Sequence, residues 1–135
     1  MPRYLLDTDT CIYIKNARPN AVRKRLSSLA NGAVAVSTIT AGELRFGAEK
    51  SQFPDRNHAA LDQLFEVIPP IAIDTKVADF YGRIRNELRA RGQIIGNNDL
   101  WIAAQAMAHK YVVVTNNEAE FRRVKGLKVE NWSSP

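Results

Sequence analysis

Short runs of β-forming residues alternate with stretches of helical periodicity along the chain, and this alternation limits the fold more than any other feature. Five runs have the composition of strands: residues 3–6, 33–37, 71–73, 111–115 and 128–130. Strands that alternate with helices form a parallel sheet with right-handed crossovers. We therefore predict an α/β fold, a three-layer α/β/α sandwich with a five-stranded, mainly parallel sheet.

Four series of apolar residues mark helices between these strands. Their members repeat every three or four positions. In chain order they are Val22, Leu26 and Leu29; Leu61, Leu64 and Phe65; Val77, Phe80, Ile84 and Leu88; and Ile102, Ala103, Ala106 and Met107. Gly92 lies just beyond the third series and indicates the C-terminus of that helix. Pro69 and Pro70 precede the third strand, and because proline lacks an N–H donor they predict that this strand lies at a sheet edge.

Length and cysteine content limit the number of domains and the cellular compartment that can be expected. The 135 residues correspond to about one domain, and we expect a single domain over residues 1–135. Cys11 is the one cysteine, so no internal disulfide can form and a reducing compartment is predicted. The apolar run before Asp7 is too short for a signal peptide or a transmembrane helix. We therefore expect a cytoplasmic protein with no membrane partner.

The chain is basic, with a formal net charge of +5 and a pI of about 9.6. Three clusters hold many of the positive charges: Arg23, Lys24 and Arg25; Arg83, Arg85, Arg89 and Arg91; and Arg122, Arg123, Lys125 and Lys128. Basic surfaces attract nucleic acid through the release of phosphate counterions. The same clusters are also compatible with solvated helix faces, so charge alone does not establish a function.

Ligands of a parallel sheet bind at the carboxyl ends of its strands, so each acidic residue can be placed relative to that edge. Asp7 directly follows the first strand, and Glu43 lies early in the helix after the second strand. Asp99 opens a predicted helix at 99–110 that leads into the fourth strand. Glu118 and Glu120 follow the end of that strand. Carboxylates from distant parts of the chain are therefore expected to converge.

Each acid also has a purely structural interpretation. Asp7 or Asp9 fits the N-cap of the helix that follows them. Thr40 and Glu43 have the spacing of a capping box. Asp99 occupies a position where the helix dipole favours a negative charge.

The joint placement of the acids favours a metal site. Unpaired carboxylates that lie close together repel and take up protons unless a cation bridges them. Oxygen ligands without cysteine or clustered histidine select a hard ion, Mg²⁺ or Mn²⁺. His58 and His109 lie far apart in helical stretches, and we expect them at the surface.

Four segments of the chain resemble a known family. They are residues 4–12 (YLLDTDTCI), 36–48 (VSTITAGELRFGA), 96–104 (GNNDLWIAA) and 114–121 (VTNNEAEF). In this order they resemble PIN-domain ribonucleases, specifically the VapC-type toxins of toxin–antitoxin pairs. The ending at residues 129–132 (VENW) resembles one VapC subgroup.

The resemblance implies a divalent-metal-dependent endoribonuclease with a PIN-like fold. Asp7, Glu43 and Asp99 match the acids of the family, with Asp7 and Asp99 as the metal ligands. Many members have Asp where this chain has Asn117, and we predict that Glu120, one helical turn further, substitutes for it. The residues expected to support these acids are Thr8, Asp9, Asn98, Thr115 and Asn117.

Glu118 and Glu120 provide an internal comparison. Glu118 lies about 200° around the helix from Glu120, so we expect it to face solvent. The alternative for Glu120 is a surface ion pair with Arg123 or Lys125, worth less than about 1 kcal/mol.

The family's partners follow from the same resemblance. Its members commonly form homodimers and are neutralised by a small antitoxin encoded beside them. The subgroup is associated with cleavage of initiator tRNA in the anticodon loop. A basic rim is expected to hold the RNA backbone.

Two alternatives compete with the ribonuclease interpretation. Asp7 and Asp9 approximate the Asp-x-Asp of a haloacid-dehalogenase-type phosphatase, with Ser37 or Thr38 as its phosphate-binding hydroxyl. That class has a flap after the first acids, which the helical pattern here replaces. A non-catalytic module that binds RNA or protein is the other alternative, and the amide at Asn117 keeps it open.

Overall fold

The structure, a computed structural model, describes residues 2–16 and 20–133. Five strands form one sheet: β1 (Tyr4–Leu6), β2 (Val34–Ser37), β3 (Pro70–Ile71), β4 (Val112–Val114) and β5 (Val129–Glu130). Their order across the sheet is β3-β2-β1-β4-β5, and every pairing is parallel. The prediction of a five-stranded, mainly parallel sheet is confirmed.

Seven helices connect and cover the described strands. They are α1 (Thr8–Asn16), α2 (Asn20–Ser27), α3 (Thr38–Glu49), α4 (Pro54–Val67), α5 (Thr75–Ala90), α6 (Asn97–His109) and α7 (Glu118–Phe121). Among the helices of residues 2–16 and 20–133, none has the length and apolar character needed to cross a membrane.

The two faces of the sheet bury separate apolar clusters. Leu5 of β1 and Val113 of β4 pack with apolar residues of α5, α6 and α7. Leu6 of β1 and Val36 of β2 pack with residues of α1, α2, α3 and α4. Consecutive strand residues point to opposite faces, and strands covered on both faces are apolar throughout. The predicted three-layer sandwich is therefore present.

Strand β3 lies at the sheet edge, as Pro69 and Pro70 predict. The predicted strand at residues 71–73 is too long, because Ile71 pairs with Ser37 and the neighbouring chain turns into α3 at the next residue. Within the part of the chain that the structure describes, β2 therefore offers no pairing partner to Ala72 and Ile73. Instead, the side-chain amide of Gln105 donates to the carbonyls of Ile71 (3.2 Å) and Ala72 (3.1 Å).

Helix ends show which sequence signals were reliable. Gly92 follows α5 with φ +67°, and its N–H donates to the carbonyl of Arg89 while the next N–H donates to Leu88. This Schellman arrangement confirms the predicted helix end. Leu29 lies outside α2, which ends at Ser27. Tight turns replace the last predicted helical turn and still pack Leu29 against the core.

Candidate active site

The carboxyl edge of the sheet brings together acids from four separate segments. The N–H of Asp7 donates to the carbonyl of Val114 at 2.8 Å, which places Asp7 beside the end of β4. The charges of Asp7, Glu120, Glu43 and Asp9 each raise the pKa of Asp99. Coulombic interaction of this kind requires proximity. These four acids therefore lie within electrostatic range of Asp99.

Asp7 is a buried carboxylate, with only 7% of its surface exposed. One carboxylate oxygen accepts from the N–H of Thr8 at 2.8 Å, and the other accepts from the hydroxyl of Thr115 at 3.0 Å. Burial is the largest influence on its pKa, and the charges of Asp9 and Glu43 act in the same direction. Although both hydrogen bonds lower the pKa, the result is a rise from 3.8 to about 6. Asp7 also directly precedes α1. The same residue therefore occupies the N-cap position of this helix and a position in the candidate site.

Asp99 occupies the third position of α6 and is half-buried. The prediction that it opens the helix at 99–110 is wrong, because the helix already starts at Asn97, with Gly96 in the N-cap position. Asp99 therefore lies inside the first turn, where the dipole favours its charge. Burial and then the neighbouring charges nevertheless raise its pKa from 3.8 to about 7.

Glu43 does not cap a helix. Helix α3 begins at Thr38, and the hydroxyl of Ser37 accepts from the N–H of Ile39 at 3.1 Å. Glu43 lies six residues beyond that cap, so the capping-box interpretation built on Thr40 is wrong. Its carboxylate instead accepts from the hydroxyl of Thr8 at 2.9 Å.

The turn after β4 supplies a hydrogen bond to Asp7. Thr115 is fully buried, and its hydroxyl accepts from the N–H of Asn117 at 2.9 Å while it donates to Asp7. The side-chain amide of Asn117 donates to Glu120. Asn117 is thus hydrogen-bonded to Thr115, which contacts Asp7, and to Glu120. Glu120 is the residue predicted to substitute for the aspartate that many family members have at position 117.

Glu118 and Glu120 differ in their surroundings. Glu118 is only partly exposed: it accepts from Arg122 at 2.9 Å and from Asn131 at 3.0 Å. Its side chain is 37% exposed, so it reaches solvent as expected, and the segment after β5 also contacts it through Asn131. These hydrogen bonds, that of Asn131 first, lower its pKa. Among the ion pairs of the described ranges, none joins Glu120 to Arg123 or Lys125.

Asp9 and Asn98 lie at the margins of the acids. Asp9 accepts from the N–H of Asn116 at 3.2 Å and from the hydroxyl of Thr10 at 3.3 Å, so it ties α1 to the turn after β4. Asn98 is exposed and lines an open cavity of about 620 Å³ that also contains Thr8 and Glu43.

Sequence reasoning missed the role of Asn116. Besides its bond to Asp9, its side-chain oxygen accepts from Asn131 at 3.2 Å and from Ser133 at 2.9 Å. The segment after β5 is thereby attached to the turn at the site. The only sequence signal was the position of Asn116 between two predicted residues.

The donor set fits a hard divalent cation by its chemistry. Asp7 and Asp99 are oxygen donors whose pKa values are raised by burial and by other carboxylates, and a cation relieves that repulsion. Burial and the charges of Asp7 and Asp9 also raise the pKa of the Cys11 thiol, so no thiolate competes. Within residues 2–16 and 20–133, no three His, Cys, Asp or Glu groups already form a coordination sphere. Asp7 and Asp99 would hold such an ion as two protein ligands, with water at its other positions.

The two histidines take no part in this site. His58 contacts Glu49 at 2.6 Å and Arg45 at 3.0 Å. His109 contacts Asp74 at 2.8 Å. Both are partly exposed and take part in ion pairs at the surface, in agreement with the expectation that they lie there.

Comparison with known proteins gives a consistent result. The PIN domain family model matches residues 4–127. "Ribonuclease VapC2" of Rickettsia felis is 41% identical over 130 residues, which cover 96% of this chain and 97% of the relative. "tRNA(fMet)-specific endonuclease VapC" of Shigella flexneri is 40% identical over 133 residues, covering 98% and 100%. The solved structure of DNA-bound VapBC from Salmonella typhimurium superposes with a TM-score of 0.91 at 39% identity, covering 98% of this chain and 99% of that one.

Proposed function

The chain belongs to the PIN domain family of VapC-type ribonucleases, and from this premise we propose that it is the endoribonuclease toxin of a toxin–antitoxin pair. The relatives of nearly full length are named ribonucleases or tRNA endonucleases. The solved relative is a VapBC assembly, which supports neutralisation by a cognate antitoxin. A homodimer and a cytoplasmic location complete the proposal, on the same family basis.

The burial of Asp7 next to the other carboxylates is the observation that carries this proposal. A carboxylate with 7% exposure and a pKa raised to about 6 is unfavourable for folding alone, so its position needs a functional explanation. Asp7 and Asp99 would hold Mg²⁺ or Mn²⁺, with Glu43 and Glu120 around them. Such an ion lowers the pKa of a bound water and neutralises charge on a phosphodiester.

The supporting residues keep the acids oriented. The hydroxyl of Thr115 and the N–H of Thr8 bond the two oxygens of Asp7, which restricts rotation of the carboxylate. The hydroxyl of Thr8 also bonds Glu43, so one residue links two of the proposed catalytic acids. In-line attack on the RNA backbone would leave a 5′-phosphate and a 3′-hydroxyl.

Initiator tRNA is the substrate that we propose. The Shigella relative is named as specific for tRNA(fMet), and the net charge of +5 favours binding of a polyanion. The anticodon loop offers single-stranded nucleotides, which a shallow open site can reach.

Incubation of the protein with end-labelled initiator tRNA tests this function. We expect cleavage within the anticodon loop in Mn²⁺ or Mg²⁺ and none in EDTA. An intact but shifted tRNA band would support a non-catalytic RNA-binding module instead. Hydrolysis of a generic phosphate monoester without RNA cleavage would support the phosphatase alternative.

A further inference from the structure

Phe46 is an exposed aromatic residue on the same helix as Glu43. Its exposed fraction is 64%, close to the value of 65% for Val67 and above those of the other exposed large apolar residues. It lies three residues after Glu43 in α3, and residues with this spacing share a helix face. Single exposed apolar residues are common, so the position of Phe46 matters here more than its exposure.

The ring lines the open cavity beside the acids. That cavity, of about 620 Å³, contains Thr8, Glu43 and Asn98 of the proposed active site. Residues of α3 form its other wall: Ile39, Gly42 and Phe46. Phe46 and Glu43 therefore border the same open space.

Gly42 keeps the space next to the ring open. It lies one turn before Phe46, and helical side chains lean toward the preceding turn. A Cβ built on Gly42 meets no atom within 4 Å, so internal packing does not require glycine there. Glycine inside a helix is unfavourable relative to alanine. A contact from outside the chain would explain why this position carries no side chain.

A positive charge accompanies the ring. The Lys50 ammonium lies 5.0 Å from the centroid of Phe46. An aromatic face with an adjacent cation matches a nucleotide, whose base stacks and whose phosphate is negative.

We propose that Phe46 is a stacking platform for one unpaired nucleobase of the RNA next to the scissile phosphodiester, with Gly42 leaving room for that base and Lys50 facing its phosphate. This inference rests on the proposed ribonuclease function and adds a binding subsite to it.

Phe53 provides a matched control for the ring. It is 51% exposed and has the Arg56 guanidinium 4.9 Å from its centroid, but it precedes α4 and does not line the cavity. Phe46→Ala should raise the KM for an anticodon stem-loop of initiator tRNA by about 5- to 100-fold, the effect of losing one base–aromatic stack. The kcat should change little, because the stack exists before and during the reaction. Phe53→Ala should leave KM unchanged.

The chemistry of the side chain gives a second test. Phe46→Trp keeps an aromatic face and should retain the wild-type KM, whereas Phe46→Leu keeps only apolar bulk and should behave like Phe46→Ala. An abasic substitution at the stacked nucleotide should weaken wild-type binding and leave Phe46→Ala unaffected. Equal KM values for Phe46→Leu and the wild type would overturn the proposal.

Substitutions at the two glycines of α3 distinguish an effect on RNA binding from an effect on stability. Gly42→Ala and Gly47→Ala both remove a helix glycine whose added Cβ meets nothing within 4 Å. Both should raise Tm by about 2–5 °C. Only Gly42→Ala should raise KM, because only Gly42 lines the cavity.

Two outcomes distinguish failure of this inference from failure of the function. If wild-type protein cleaves the stem-loop and Phe46→Ala cleaves it with the same KM, the subsite is wrong and the function stands. If the wild type binds without cleaving and Phe46→Ala raises the Kd measured by fluorescence anisotropy, the function is wrong and the subsite stands. A change in the sedimentation coefficient of the Phe46→Ala or Gly42→Ala protein would overturn the proposal. It would show that this face of the molecule contacts another protein chain.

Discussion

Asp7 has both a structural position and a proposed chemical role. It terminates β1, precedes α1 and accepts hydrogen bonds from Thr8 and Thr115. The position before α1 needs no negative charge, since an amide also caps helices. Because an amide has one acceptor oxygen, Asp7→Asn keeps an acceptor for one of the two donors, Thr8 or Thr115. A metal ligand does need the charge.

Asp7→Asn should therefore abolish RNA cleavage, by more than about 100-fold in kcat/KM, while the protein stays folded. The neutral amide also removes a buried charge, so the metal-free Tm at pH 8 should be equal to or higher than that of the wild type. Cleavage assays and circular dichroism melting measure the two effects. Near-wild-type cleavage by Asp7→Asn would contradict the scheme.

Glu120 and Glu118 belong to one short helix but have different partners. Glu120 influences the charge state of Asp99, whereas Glu118 is held by Arg122 and Asn131. Glu120→Gln should lower kcat/KM clearly, but less than Asp7→Asn does. Glu118→Gln keeps an acceptor oxygen for one of these two donors and should change cleavage little, because Glu118 is not among the charges that act on Asp99. Indistinguishable rates for the two variants would show that three carboxylates suffice.

The end of α5 determines how the chain approaches α6 and its Asp99. Gly92 adopts φ +67°, a region in which a Cβ is unfavourable by about 1–2 kcal/mol. Gly82, in the interior of α5, has ordinary helical geometry and nothing within 4 Å of an added Cβ.

Gly92→Ala should therefore destabilise the protein by about 1 kcal/mol, whereas Gly82→Ala should stabilise it by about 0.5–1 kcal/mol. Urea denaturation of both variants measures the difference. The same sign for both substitutions would show that backbone conformation does not control the end of α5.

The whole molecule should respond to pH through its crowded acids. Folding raises the pKa of Asp7 from 3.8 to about 6 and that of Asp99 from 3.8 to about 7. Between pH 4 and pH 7 the folded state therefore binds more protons than the unfolded state, and stability falls as pH rises. The metal-free Tm should decrease across this window and level off above about pH 7.

Divalent ions should reverse this loss. Mg²⁺ or Mn²⁺ at 100 times its Kd stabilises the folded state by about 2.7 kcal/mol. The increase in Tm should be large at pH 8 and small at pH 5, where protons compete for the same oxygens. Asp99→Asn should erase most of the response and flatten the pH profile, with NaCl of equal ionic strength as the control. A wild-type Tm that is independent of divalent ions would contradict the metal site.

Local sequence determined the order of elements and the edge at which the acids lie. Apolar runs such as those of β1 and β4 bury both faces, and a parallel sheet brings their carboxyl ends to one side. Asp7, Glu43 and Asp99 could therefore be located from their distance to a strand or helix end. The resemblance of four ordered segments added their proposed roles.

Only the tertiary structure decided which side chains meet. Thr115 bonds Asp7 across 108 residues, and Thr8 bonds Glu43 across 35. Asn131 reaches Glu118 only because β5 pairs with β4. Periodicity reports the face on which a residue lies, but contacts between segments depend on register and packing. For the same reason the length of β3 depended on its neighbour, because a strand ends where its partner turns away.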